Sequence, residues 1–192
     1  MHRLALLNKL RAYNPYDQRE RDMHEALIHF VEAESDCFER GLQIGHITGS
    51  AWIIDRTRTR ALLTHHLKLD RWLQLGGHAD GDTDILRVAL REAREESGLE
   101  DIRILSDAIF DVDVHAIPAR ATEPSHLHYD VRFLLEADAT APLVISRESK
   151  DLAWVALTDI AQITMEPSIA RMAAKSLAWN CYKKTSAKLP ST

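Results

Sequence analysis

Apolar positions recur along this chain in two rhythms. In residues 1–40, Leu4, Leu7 and Leu10, then Met23, Leu27, Phe30, Val31 and Phe38, follow helical spacing. Asn14-Pro15 interrupts that pattern, because proline lacks a backbone N–H and restricts the residue before it. The spacing predicts two amphipathic helices, the second from Asp17 onward, whose apolar stripes serve packing or dimerisation or cap a site. From about Gly49 the rhythm changes to short β-like runs. Ser50-Ala51-Trp52-Ile53-Ile54 and Ala61-Leu62-Leu63-Thr64-His65-His66 flank Asp55-Arg56-Thr57-Arg58-Thr59-Arg60, a hairpin connection. Trp72-Leu73-Gln74-Leu75, Ile102-Arg103-Ile104-Leu105, residues 108–115, residues 128–136 and Leu152-Ala153-Trp154-Val155 read as further strands. A last helix is predicted over residues 168–179.

One strongly marked helix stands among these strands. Gly76-Gly77 reads as a glycine-rich loop before it, and Asp82 or Thr83 as its N-cap, with Asp84 at the positive end of the macrodipole. Gly98 suits the left-handed position that ends a helix, with Leu99 packing back over the last turn. At about 100° per residue, Leu86, Ala89, Leu90, Ala93 and Ser97 share one face and Arg87, Arg91 and Arg94 another. Val88, Glu92, Glu95 and Glu96 form a third arc bordering the apolar face. Like charges four residues apart cost about 0.2–0.5 kcal/mol even when exposed, and desolvation adds to that. A hard divalent cation such as Mg²⁺ removes the cost, since carboxylate oxygens suit it. The competing account is a solvated helix face neutralised by its arginines. A helix set between runs of strands suits an α/β sandwich.

Length and composition fit this picture. A chain of 192 residues accommodates one domain with or without an appendage, and 45% hydrophobic content supplies a substantial core. The expected division is a helical extension over residues 1–40, a main domain over 41–185 and a polar tail over 186–192. No apolar run is long enough to span a membrane, and residue 1 onward lacks a signal-type apolar core with a cleavage site. A net charge of −5 argues against a broad nucleic-acid surface but permits a nucleotide ligand. Cys37 and Cys181 are far apart without C-x-x-C spacing, which suits reduced thiols in a cytoplasmic protein.

Ten histidines are many for this length. His126, His128 and Asp130 alternate, as do Asp111, Asp113 and His115, so an extended chain places each set on one face. They are candidates to bind base, ribose or phosphate. A histidine-rich transition-metal site is the rival idea, although no H-E-x-x-H or Cys/His ligand set is present. A polar, solvent-facing strand is the plain alternative. His65, His66 and His78 lie near the glycine loop, while Trp52 and Trp72 suit core packing better than base stacking.

The segment from Gly77 to Leu99 resembles the Nudix box, G-x5-E-x7-R-E-U-x-E-E-x-G-U with U a bulky apolar residue. Gly77 takes the first position and Arg91-Glu92-Ala93-Arg94-Glu95-Glu96-Ser97-Gly98-Leu99 the second half. Thr83 stands where the pattern has its first glutamate, with Asp82 the nearer substitute, and Ala93 stands where a larger apolar residue is usual. The resemblance implies an α/β/α sandwich with a mixed sheet and hydrolysis of a diphosphate linkage in a nucleoside diphosphate joined to another group. Nucleotide sugars, ADP-ribose, dinucleoside polyphosphates and nucleoside triphosphates all remain open as small-molecule partners, and a homodimer is compatible with the N-terminal helices. It implies Mg²⁺, or Mn²⁺, on Glu92, Glu95, Glu96 and the Gly76 carbonyl, with one glutamate orienting or activating water. Arg91 would hold a box carboxylate. Glu148, in a loop before a Trp-containing strand, would complete the metal site or act as general base. His115, His126, His128, Asp130 and Arg147 are the candidate substrate-binding residues. Thr83 motivates a second hypothesis, a non-catalytic nucleotide-binding or regulatory module. A third, an isomerase like isopentenyl diphosphate isomerase, needs a reactive cysteine near the site, and neither cysteine is placed for that.

Overall fold

The computed structural model describes residues 2–119 and 124–186, with side chains described to Trp179. Two helices come first, α1 (Leu4–Ala12) and α2 (Gln18–Ala33). Asp17 caps α2 by accepting the Glu20 N–H at 2.7 Å, just after the Asn14-Pro15 break. Eight strands follow: β1 (Gly45–Asp55), β2 (Arg60–His66), β3 (Arg71–Leu73), β4 (Leu75–His78), β5 (Ile102–Ile104), β6 (Asp111–Ile117), β7 (His126–Ala137) and β8 (Ser149–Ala156). The helix α3 (Ile85–Ser97) lies between β4 and β5, and α4 (Ile160–Ile163) and α5 (Pro167–Ser186) close the chain. The predicted tail lies outside the described residues beyond Ser186.

The strands form one mixed sheet whose centre is the long parallel pair β1 and β7, in register from Gly45 opposite Leu127 to Asp55 opposite Ala137. On the far side of β7, β6 and β5 pair antiparallel in succession. On the far side of β1, β4 pairs with its middle, from Thr48 to Ala51, and β2 with its end, so the sheet divides there. Two expected boundaries move. β1 starts at Gly45, not near Gly49, because its first residues are held by β7, some 80 residues away in sequence. Gly76-Gly77 is part of a strand, not a loop, since both residues pair with β1.

Alternation along β1 splits the core into two layers. Ile47, Ala51 and Ile53 face α3 and the N-terminal helices, in a cluster with Val88, Ala89, Ala93, Leu27, Phe30 and Val31. Phe30 of α2 stacks on Tyr129 of β7 with ring centroids 3.8 Å apart. The stripes of α1 and α2 therefore pack into the same core as the sheet. The other face carries Trp52, Ile54, Leu63 and Leu134 under Ile169, Met172 and Ala173 of α5. Trp52 is a core residue, fully buried, with its Nε1–H donated to Ser176 Oγ at 2.8 Å.

Between this apolar patch and the open end of the sheet lies a buried ionic network. Arg132 of β7 pairs with Asp130 at 2.7 Å, Asp111 at 3.1 Å and Asp113 at 3.3 Å. Arg171 and Lys175 of α5 reach Asp111 at 2.8 and 2.7 Å, and Glu20 of α2 pairs with both from below. Burial alone would raise the Asp111 carboxyl, but the Arg171 hydrogen bond and the charges of Arg132 and Lys175 hold it below its ordinary range. The network ties α2, β6, β7 and α5 together. Removing one member leaves buried charge uncompensated, at a cost of about 3–5 kcal/mol. Urea unfolding of Asp111→Asn should show a loss of that size. Arg56→Ala, which breaks an exposed 3.0 Å pair with Asp101, should cost under about 1 kcal/mol.

Candidate functional site

Helix α3 is capped by Asp84, which accepts the Arg87 N–H at 3.2 Å, rather than by Asp82 or Thr83. Asp82 has a different task. Its carboxylate accepts the Asp84 N–H at 2.9 Å and takes Arg87 in a two-point pair at 2.8 and 2.6 Å. The loop is thus fastened to the first turn of the helix by Asp82, and Thr83 is not required for it. At the other end, Gly98 adopts φ +71°, the left-handed stop that the sequence indicates.

The approach of α3 to the sheet is close enough to require glycine. A Cβ on Gly49 would lie 2.9 Å from the Ile85 carbonyl oxygen, and one on Gly77 would lie 2.6 Å from the Glu92 carboxylate. Gly76 has φ +157° and its added Cβ would meet Ser50 on the opposite face. Glu92 is consequently seated directly on the backbone of β4. Arg91 donates to Glu92 at 2.7 Å and to the His78 carbonyl at 2.8 Å, bridging helix and strand. Glu96 is 8% exposed and accepts the Gly76 N–H at 3.2 Å. Glu95 is exposed beside them.

These carboxylates are electrostatically overloaded. Desolvation, reinforced by Glu92, Glu148 and Glu95 and only partly offset by the Gly76 N–H, pushes Glu96 up to about 8. Desolvation also raises Glu92, against the lowering effect of Arg91. Glu148 is exposed at the start of β8, near enough for its charge to act on both. Its backbone carbonyl accepts the Leu67 N–H at 2.8 Å, which fixes that loop against the turn after β2. The structure therefore brings together Gly76, Arg91, Glu92, Glu95, Glu96 and Glu148. A buried carboxylate whose hydrogen bond comes from a backbone N–H and whose charged neighbours are mostly acidic fits a hard divalent cation.

The histidines and aspartates occupy the other face of the sheet. His115, His128 and His46 stand side by side across β6, β7 and β1, and the next row is Asp113, Asp130, Thr48 and His78. Strand alternation turns Gly77 toward Glu92 and its neighbour His78 toward His46, whose ring centroids are 5.0 Å apart. His46–His128, His78–His128 and His46–His126 are 4.8, 5.0 and 5.0 Å apart in the same way. His46 escaped the sequence reading, since it lies outside the expected strand; its alternation with Thr48 and Ser50 was the available signal. Desolvation and the neighbouring imidazoles lower His46 to about 4 and His128 to about 2. Asp130 is 1% exposed and engages Thr48, Ser50, Gln74 and Arg132, so it has no face for a substrate. It positions β1 against β7 instead. Asp111 and Asp113 likewise belong to the ionic network rather than to an open cleft. Arg147 is exposed next to Glu148. Cys37 is buried, and burial pushes its thiol up to about 11, which makes it a poor nucleophile.

The two faces predict a signature in stability. Glu96 has a folded pKa above its unfolded value near 4.5, so the folded state holds a proton that the unfolded state releases, and stability falls as pH rises toward about 8. His46 and His128 act in the opposite sense but only below their unfolded pKa of about 6.5, where rising pH adds stability. With metal chelated, wild type should lose about 2 kcal/mol relative to Glu96→Gln between about pH 6.5 and 8. Chemical unfolding of both proteins across that range measures it; parallel curves would contradict the desolvated carboxylate.

Comparison with known proteins agrees with this geometry. The model of the NUDIX domain matches residues 45–176. A C. elegans Ap4A hydrolase structure superposes with a TM-score of 0.57 at 18% identity, covering 70% of this chain and 97% of that one. A Nudix-family hydrolase from Clostridium perfringens gives 0.53 at 22% identity, covering 70% and 97%. The E. coli dihydroneopterin triphosphate pyrophosphohydrolase gives 0.52 at 14% identity, covering 66% and 91%. No curated protein gives a match. With the box residues gathered on α3 and β4 and the domain model spanning the sheet and both of its faces, the chain belongs to the Nudix family.

Proposed function

We propose that this chain is a Nudix pyrophosphohydrolase that cleaves the diphosphate linkage of a nucleoside diphosphate derivative with Mg²⁺, Mn²⁺ being an alternative. The observation that carries this is the desolvated Glu96 beside Glu92, with Glu148 and Glu95 adding further negative charge. Glu92, Glu95, Glu96, Glu148 and the Gly76 carbonyl would hold the cation. When bound, the metal polarises a phosphoryl oxygen and makes a water more acidic.

The chain's own residues supply position and proton handling. Arg91 fixes the Glu92 carboxylate and the end of β4 in one arrangement, which preorganises the ligand set. Glu148, exposed on a loop, would either complete the cation's ligand set or accept the proton of an attacking water, whereas Glu96 is too enclosed to exchange protons with it freely. Among the described residues β4 pairs with β1 alone, which supports a substrate held at Gly76 that extends past the other edge of β4 toward the opposite face. There His115 and His126, both partly exposed, are the residues for the nucleoside end, and Arg147 beside Glu148 suits a phosphate. The fold shared with an Ap4A hydrolase and with a dihydroneopterin triphosphate pyrophosphohydrolase supports phosphoanhydride chemistry without selecting a substrate.

Glu95→Gln and Glu96→Gln should each lower kcat by at least about 100-fold across a panel of nucleotide sugars, ADP-ribose, dinucleoside polyphosphates and nucleoside triphosphates. Chromatography of the products identifies the substrate. Unchanged turnover at saturating Mg²⁺ would refute the assignment. Calorimetric binding of a nucleotide with no product under any divalent cation would favour the non-catalytic module.

A further inference from the structure

Three imidazoles packed on one sheet face, His46, His78 and His128, have no part in the hydrolysis proposed above. His46, His78 and His128 each offer a ring nitrogen, and these atoms lie within 4.8 Å of one another. His46 is 2% exposed, and both of its ring nitrogens lack a hydrogen-bond partner. His128 Nε2 is likewise buried without one. A neutral imidazole carries one donor and one acceptor, and leaving them unmet in the interior costs about 1–3 kcal/mol per group. The arrangement is built, since β-pairing fixes His46 beside His128, and β4 carries His78 against them.

The geometry points to a second metal site, in which His46, His78 and His128 bind one borderline d-block dication such as Zn²⁺, Co²⁺ or Ni²⁺. Converging neutral nitrogen lone pairs attract a Lewis acid and repel an anion, and imidazole favours these metals over Mg²⁺. In a tetrahedral site with Zn–N of about 2.0–2.1 Å the nitrogens sit about 3.3 Å apart, so the trio must close by up to about 1.5 Å through side-chain rotation. The Leu42 backbone interacts with the His46 ring, and it is an acceptor for the ring N–H left over after ligation. Three protein ligands leave a fourth position, toward the partly exposed His126 and solvent. The backbone of β4 separates this site from the glutamates, with Gly77 facing one and His78 the other. Each metal class therefore has its own ligand set, and the site binds whether or not the glutamates are intact.

Co²⁺ titration in excess Mg²⁺, followed by visible d–d absorption, tests this. Wild type should bind one equivalent with the intensified bands of a nitrogen-ligated, four-coordinate ion. His78→Gln and His128→Asn should each weaken binding by at least about tenfold, and Glu96→Gln should leave it unchanged. Thermal unfolding checks that each variant folds; His78 is only half-buried, so His78→Gln decides the matter if His128→Asn does not fold. No d–d change in wild type, or a signal that survives both histidine variants and disappears in Glu96→Gln, would overturn the site. The absorption does not depend on turnover, so the result stands apart from the hydrolase assay.

Discussion

The close seating of α3 on β1 and β4 is the constraint on which the rest of the structure depends. Gly49 and Gly77 admit the helix where a Cβ would meet the Ile85 carbonyl or the Glu92 carboxylate. That approach takes Glu92 and Glu96 out of water and sets them against backbone rather than against basic side chains, apart from Arg91. The result is a charge imbalance built by packing. Its driving force is the apolar face of α3, where Val88, Ala89 and Ala93 are fully buried. Helix burial thus creates the site, and a bound cation would relieve the cost.

The sheet serves as a partition. One face receives α3 and the N-terminal helices, and the other carries, in succession, histidines, a buried ionic network and the apolar patch under α5. Buried ion pairs of this sort are weak sources of net stability, because desolvation offsets the attraction. Their effect here is positional. Asp111 meets Arg132 from β7 and Arg171 and Lys175 from α5, while Glu20 brings in α2. The elements that flank the open end of the sheet are therefore locked to one another, and the histidine rows keep a defined spacing.

Much of this was legible in the sequence, and the reasons for the rest are physical. The box helix, its Gly98 stop, the hairpin at Asp55–Arg60 and the glutamate arc are local, and each follows from spacing or turn chemistry within a few residues. The Asp84 cap was displaced because Asp82, also an acceptor, is drawn off by Arg87 five residues later. What escaped depends on distant pairing. His46 acquires its neighbours only because β1 runs parallel to β7, and Gly76-Gly77 becomes a strand only by pairing with β1. Asp130 reads as a ligand-binding residue in an alternating strand, yet tertiary packing surrounds it with four donors. The short helix α4 has too few residues to leave a periodic signal.

The central claim is that packing favours the protonated form of Glu96 and that the cation of the proposed function would displace that proton. Titration calorimetry of Mg²⁺ binding near pH 7, repeated in buffers of different ionisation enthalpy, counts the protons released. The account predicts release of close to one proton in wild type and of far less in Glu96→Gln, because a group with a pKa of about 8 is mostly protonated there. Mg²⁺ binding without proton release, or release that is the same in both proteins, would contradict it.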